Sequence, residues 1–152
     1  VEAKYYLKNI VEFYCEQEPI LFGHSDGASI SLIYGGLKAQ MHPIIVEAMR
    51  QTALSLNLNP TEVWTVMSSG VLSRGLQGAW PDAKVYGVRI GHNTTTREQG
   101  RAETYKSRYK FQQECKEDER PPFPSSLTYD SKAWSFMKEH ANKNALFWNV
   151  GK

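Results

Sequence analysis

The segment VWTVMSSGVLSRGLQGAWPDAKVYGVRIG, residues 63–91, constrains the fold more than any other part of the chain. With Glu62, it begins with a run rich in β-branched and aromatic residues, which predicts a buried parallel strand at 62–67, and a second strand is predicted at 84–90. A Ser-Ser-Gly turn follows, then a short helical pattern ended by Pro81, and then a second apolar run at 84–91. A strand, a turn, a helix and a strand in this order predict a βαβ unit.

The patterns in the rest of the chain extend this unit into an α/β domain. Helical spacing of apolar residues predicts further helices at 2–16, 43–57 and 131–141. Short apolar runs predict further strands at 20–23 and 145–149. Polar and proline-rich composition predicts irregular connections at 93–103 and 116–126. We therefore predict a single α/β domain over residues 1–152, a three-layer sandwich with a mainly parallel sheet and helices on both faces.

The charge balance and the apolar content limit the classes of partner. The chain has 18 basic and 16 acidic residues and a formal charge of +2, which argues against a general nucleic-acid binder. No apolar run approaches the roughly 20 residues of a membrane span, so no membrane association is predicted. The two cysteines, Cys15 and Cys115, lack metal-type spacing and favour a reduced, cytoplasmic protein.

Basic residues are concentrated locally in the segment 97–110. They are Arg97, Arg101, Lys106, Arg108 and Lys110. Such a group could meet a phosphate, a nucleic acid or an acidic partner. The other interpretation, which fits most charge runs, is a solvated loop.

The Ser-Ser-Gly turn suits a phosphate group by both position and composition. Ligands of open α/β sheets bind at the carboxyl ends of strands, and a helix N-terminus offers unpaired N–H groups and partial positive charge. Gly70 would let the backbone approach the ligand closely. Further donors would come from Ser68, Ser69, Ser73 and Arg74. The alternative is an ordinary turn with a helix cap, where serine and glycine are common.

Other common chemistries find no support in the residue pattern. His24, Ser25 and Asp26 are adjacent in the sequence and cannot face one another as a catalytic triad does, and no G-x-S-x-G elbow is present. The remaining histidines lack the spacing of metal ligands, so no metal site is predicted. The turn also lacks the spacing of a Walker A loop and the three glycines of a dinucleotide fingerprint.

Residues 62–91 resemble the large domain of fold-type II pyridoxal-phosphate enzymes. This group includes tryptophan synthase β, cysteine synthase, D-cysteine desulfhydrase and aminocyclopropane-carboxylate deaminase. In the group, a buried strand runs into a Ser/Gly-rich loop that holds the cofactor phosphate, and a helix, a proline and a V-x-G-V strand follow. LTYDSKAW (127–134) and ALFWNVGK (145–152) are similar to the closing segments of the deaminase and desulfhydrase branch.

The resemblance implies pyridoxal 5′-phosphate as cofactor and assigns residues to its site. The Ser-Ser-Gly turn would hold the phosphate, and Tyr129 would line the site. Asn149 and Gly151 would lie in a closing turn near the pyridine ring, where the desulfhydrase branch has a hydroxyl and this chain has Val150. A competing alignment matches GGLKAQM (35–41) to the stretch around the family's Schiff-base lysine, which makes Lys38 catalytic; otherwise Lys38 is a solvated lysine beside a turn.

The function implied by the resemblance is lyase-like, pyridoxal-phosphate-dependent chemistry on an amino-acid substrate, by elimination, replacement or deamination. Family chains are about twice as long and carry a further small domain with the Schiff-base lysine. A homo-oligomer, a second chain or a larger enzyme is therefore part of the expectation. The alternative from a different class is a non-catalytic α/β subunit or interaction module that keeps only an anion-binding turn.

Overall fold

The structure, a computed structural model, describes residues 43–91 and 93–151. The predicted helix at 2–16, the predicted strand at 20–23 and Lys38 lie outside the described residues. Residues from Val46 onward belong to one compact unit. The prediction of a single domain over the whole chain stays a prediction, because it also concerns the residues before 43.

The described chain alternates helices and strands. In chain order the elements are α1 (Pro43–Ser55), β1 (Glu62–Met67), α2 (Val71–Ala79), β2 (Lys84–Arg89), α3 (Thr96–Gln99), β3 (Glu103–Lys106), a 3₁₀ turn (Glu117–Glu119), α4 (Ser131–His140) and β4 (Ala145–Phe147). The four strands form one sheet in the order β3-β2-β1-β4, and every neighbouring pair is parallel. The α/β class and the βαβ unit β1-α2-β2 are confirmed.

One face of the sheet carries an aromatic core. Trp64 of β1 is fully buried and stacks on its register partner Tyr86 of β2, with ring centroids 4.3 Å apart. Tyr105 of β3 extends the stack, with its centroid 5.5 Å from that of Trp64. Phe136 of α4 packs on this cluster. The rings therefore fix α4 on the sheet.

Burial along β1 shows that both faces of the sheet are covered. Successive side chains of a strand point to opposite faces, and all six residues of β1 are buried. Both α2 and α4 pack against β1 and β2. This pattern is typical of an α/β sheet with helices on both faces, and the three-layer arrangement itself stays a prediction.

The predicted irregular connections are wrong in part. Residues 93–103 contain helix α3, which begins with a capping box in which Thr95 Oγ1 accepts from the Glu98 N–H. The edge strand β3 starts at Glu103, in a polar ETYK sequence that lacks the apolar character of a buried strand. The connector 116–126 contains the 3₁₀ turn. Local capping and edge pairing formed these elements without an apolar signal.

Arg101 closes the C-terminal end of α2, which gives one member of the basic stretch a structural role. Its guanidinium donates to the carbonyl oxygens of Ala83 at 2.6 Å, Trp80 at 2.7 Å and Gln77 at 3.0 Å. The last carbonyls of a helix have no intrahelical donor and carry partial negative charge, so a cation stabilises them.

We expect Arg101→Ala to lower the free energy of unfolding by about 1–2 kcal/mol, because several charge-assisted hydrogen bonds are lost at a partly solvated site. Urea denaturation measures the change. Arg97→Ala is the matched control, since Arg97 is exposed in the same stretch, and a change within about 0.5 kcal/mol is expected there. Equal effects of the two substitutions would contradict the capping role.

Candidate functional site

The Ser-Ser-Gly turn lies where β1 ends and α2 begins. Gly70 is the N-cap of α2, has a left-handed backbone with φ of 76°, and provides no side-chain cap. No acceptor is found among the described residues for the N–H groups of residues 69–73. The serines therefore do not cap the helix in the ordinary way, and within the described part of the chain the N–H groups of the first turn of α2 stay without an acceptor.

Gly70 is required by a close approach within the protein. A Cβ at this position would overlap the backbone carbonyl of Glu98 in α3. The sequence predicted that a ligand would approach the backbone of Gly70 closely. On the side where a Cβ would lie, helix α3 makes this close approach instead.

Tyr129 joins the end of β1 to the start of α4. The Ser68 side chain lies close enough to its hydroxyl to lower its pKa slightly, and its ring meets that of Phe111 edge-on, with the ring centroids 6.2 Å apart. Burial, with a smaller contribution from the charge of Asp130, raises the pKa of Tyr129 to about 12. The phenol therefore keeps its proton at neutral pH and can donate a hydrogen bond.

Asp130 is almost completely buried and links α4 to the C-terminal segment. Its Oδ2 accepts from the Gly151 N–H at 2.8 Å. Oδ1 is buried and has no partner among the described residues. Burial raises the pKa of Asp130 to about 6, and the backbone N–H groups of Gly151, Val150 and Asp130 itself oppose this effect. A carboxyl group with this pKa can exchange a proton near neutral pH.

Asn149 and Gly151 form the closing turn together. Asn149 Nδ2 donates to the Gly151 and Pro124 carbonyl oxygens, both at 3.1 Å. Its Oδ1 accepts from the Ser125 hydroxyl at 2.7 Å. The side chain of Asn149 therefore holds the turn beside Asp130.

These residues lie at the edge of the sheet where β1 ends. We call this group the carboxyl-edge site. Its members are Ser68, Ser69, Gly70, Tyr129, Asp130, Asn149 and Gly151.

Two further predicted residues have other surroundings. Ser73 is fully buried, and its hydroxyl accepts from Gln77 Nε2 at 3.3 Å. Gln77 in turn donates to the Gln99 carbonyl at 2.8 Å, so Ser73 contributes to packing between α2 and α3. The N–H of Arg74 bonds to the Gly70 carbonyl, and its side-chain Nε is buried without a partner among the described residues.

Sequence reasoning missed Asp130 and Lys132. Lys132 is fully buried in α4, and its Nζ donates to the carbonyl oxygens of Lys110 at 2.8 Å and Phe111 at 2.7 Å. Burial lowers its pKa. The helix was predicted from the spacing of its apolar residues, and that pattern gives no information about the polar residues Asp130 and Lys132. Three consecutive polar residues after Tyr129, at the start of a buried helix, are the signal that could have found both groups.

Comparisons of the chain with models of protein families, with curated proteins and with solved structures find no match. Within residues 43–91 and 93–151, no three histidine, cysteine or acidic side chains are grouped so as to hold a metal ion. None of the helices in these residues combines the length and apolar character that crossing a membrane requires.

Proposed function

We propose that the carboxyl-edge site binds pyridoxal 5′-phosphate and that the protein acts on an amino-acid substrate. One observation carries the proposal: among the residues that the structure describes, no acceptor is found for the N–H donors of the first turn of α2, at a sheet edge that also holds Tyr129, Asp130 and the closing turn. The geometry fits the cofactor because its phosphate needs hydrogen-bond donors and its ring nitrogen needs an acceptor.

The phosphate end of the cofactor would be held at the N-terminus of α2. Unpaired N–H groups and the helix dipole favour a dianion there. The hydroxyl of Ser69 would add a donor, and that of Ser68 would be shared with Tyr129. Because the carbonyl of Glu98 covers one side of Gly70, the phosphate would approach from the side of the serines.

The ring end of the cofactor would be held near Asp130. Val150 provides no hydroxyl in the closing turn, whereas the buried Oδ1 of Asp130 has no partner among the described residues and is a suitable acceptor. The protonated Tyr129 hydroxyl can hold or deliver a proton at its oxygen. When bound, the cofactor withdraws electrons from the α-carbon of an amino-acid substrate.

A titration of the purified protein with pyridoxal phosphate, followed by absorbance, tests the proposal. We expect pyridoxal without phosphate to bind at least tenfold more weakly, and inorganic phosphate to compete. The double substitution Ser68→Ala, Ser69→Ala should weaken binding about tenfold, since two hydroxyl donors are lost. The matched control is Ser55→Ala, because that hydroxyl bonds only within its own helix. Equal affinity for pyridoxal and its phosphate would contradict the anchoring role.

Borohydride reduction followed by peptide mapping tests catalytic competence. A lysine that becomes covalently fixed to the cofactor supports the enzyme, and loss of this product in Lys38→Ala would assign Lys38. Mass measurement of the native protein tests the proposed homo-oligomer or second chain.

The second candidate is a non-catalytic module that keeps the anion-binding turn. It is favoured by Lys132, the buried lysine in the described part of the chain, whose amine is bound to two carbonyl oxygens rather than presented at the sheet edge. Phosphate-dependent binding without any borohydride-fixed lysine would establish this candidate and exclude the enzyme.

A further inference from the structure

A concave region lies at the carboxyl ends of β2 and β3. It is a cavity of about 340 Å³ whose lining includes Arg89, Lys106, Arg108, Tyr109, Lys110 and Phe111. Four of these residues are basic, and none of the lining residues is acidic. Three of them belong to the basic stretch for which the sequence left two interpretations open: a surface for a phosphate, a nucleic acid or an acidic partner, and a solvated loop.

Arg89 and Lys106 are placed against each other by the sheet itself. They end β2 and β3, and they are register partners in this parallel pair. Side chains of paired residues lie on the same face, so two positive charges are neighbours at the cavity. Like charges in this position repel and destabilise the pairing. The pairing of Arg89 with Lys106 therefore destabilises the folded protein when no anion is bound.

The positive charge of the cavity has little compensation from the described residues. Arg108 is neutralised, because its Nη2 lies 2.6 Å from an oxygen of Glu139. The ion pairs found in residues 43–91 and 93–151 do not include Arg89, Lys106 or Lys110. Arg89 Nε is also buried without a partner among these residues. A bound anion would supply the missing partner.

The wall of the cavity is held in place before any ligand arrives. The buried amine of Lys132 fixes the backbone of Lys110 and Phe111 through their carbonyl oxygens. Tyr109 is buried, and its hydroxyl accepts from the Lys116 N–H at 3.2 Å. A fixed wall reduces the entropy lost on binding.

We infer that this cavity binds a small dianionic ligand, one that carries a phosphate monoester or two carboxylates. Guanidinium and ammonium groups recognise both kinds of anion. A small ligand is favoured over nucleic acid, because the charge is confined to one cavity and Arg101 is used inside the fold. This inference does not rest on the cofactor proposal, since different residues form the site.

Isothermal titration of the whole chain with inorganic phosphate and, separately, with succinate tests the inference and distinguishes the two anions. We expect saturable binding of at least one of them, weakened tenfold or more by Arg89→Gln and by Lys106→Gln. Lys84→Gln is the matched control, because Lys84 is exposed at the opposite end of β2; it should change the affinity less than twofold. The part of the binding that is lost in Arg89→Gln should persist when Ser68 and Ser69 are both replaced by alanine, whereas any phosphate bound at the carboxyl-edge site should be weakened by that replacement, which separates the two sites.

Thermal unfolding provides a second measurement, and its comparison without anion does not depend on the affinity. Without anion, Lys106→Gln should unfold at the same or a higher temperature than the wild type, because a repulsion is removed. Added anion should raise the unfolding temperature of the wild type and should raise it much less in the variant.

Three results would overturn the inference. They are the absence of saturable binding of either anion, an equal loss in Lys84→Gln, and tighter binding of a single-stranded oligonucleotide that weakens steeply with salt and depends on Arg89.

Discussion

Replacement of Gly70 by alanine is expected to lower the free energy of unfolding by about 3 kcal/mol. The left-handed backbone at Gly70, with φ of 76°, costs a residue with a Cβ about 1–2 kcal/mol. The new Cβ would also overlap the backbone carbonyl of Glu98, which cannot move away as the end of a flexible side chain can. Urea denaturation at neutral pH measures the change.

Gly91→Ala is the matched control for this substitution. Gly91 also has a positive φ, of 93°, but a Cβ there would meet only Phe111 at 3.5 Å, an ordinary contact. The control therefore isolates the backbone strain, and a loss of about 1 kcal/mol is expected. If both variants lose the same stability, the close packing of α3 on the turn does not contribute, and the account of Gly70 is wrong.

Replacement of Asp130 by asparagine is expected to stabilise the protein above pH 6 relative to the wild type. The pKa of Asp130 is raised from 3.8 to about 6 in the folded state, so the folded protein binds more protons than the unfolded chain in this range. The resulting stability is complete below pH 3.8 and is lost as the pH rises through 6. A shift of this size corresponds to about 3 kcal/mol.

The measurement is the difference in unfolding free energy between wild type and Asp130→Asn from pH 4 to pH 7.5. This difference should change by about 3 kcal/mol in favour of asparagine as the pH rises. Asp82→Asn, at an exposed position, controls for the loss of one negative charge. A pH-independent difference would show that the buried carboxyl group does not titrate in this range.

The strands with a continuous apolar pattern could be predicted directly from the sequence. The strand predicted at 62–67 has the bounds of β1, and the predicted strands at 84–90 and 145–149 contain β2 and β4. Buried parallel strands consist of continuous apolar runs, so their signal is local. β3 gave no such signal, because it is a short edge strand whose residues are at most partly buried, and its pairing with β2 depends on residues distant in the sequence.

The sites were harder to predict than the strands, because they depend on contacts between distant segments. The interaction of Ser68 with Tyr129 joins residues far apart in the chain, as does the hydrogen bond between Asp130 and Gly151. The resemblance had named three of these residues, but not Asp130. The pairing of Arg89 with Lys106 depends on strand register, which the basic stretch alone does not reveal.

The central claim is that the first turn of α2 binds the cofactor phosphate. Backbone amide NMR of the whole protein during titration with pyridoxal phosphate tests this claim most directly. We predict that the amide resonances of Ser69, Gly70 and Val71 shift most and saturate with the absorbance change. Saturable binding that leaves these three resonances unmoved would contradict the claim, as would equal shifts with pyridoxal lacking the phosphate.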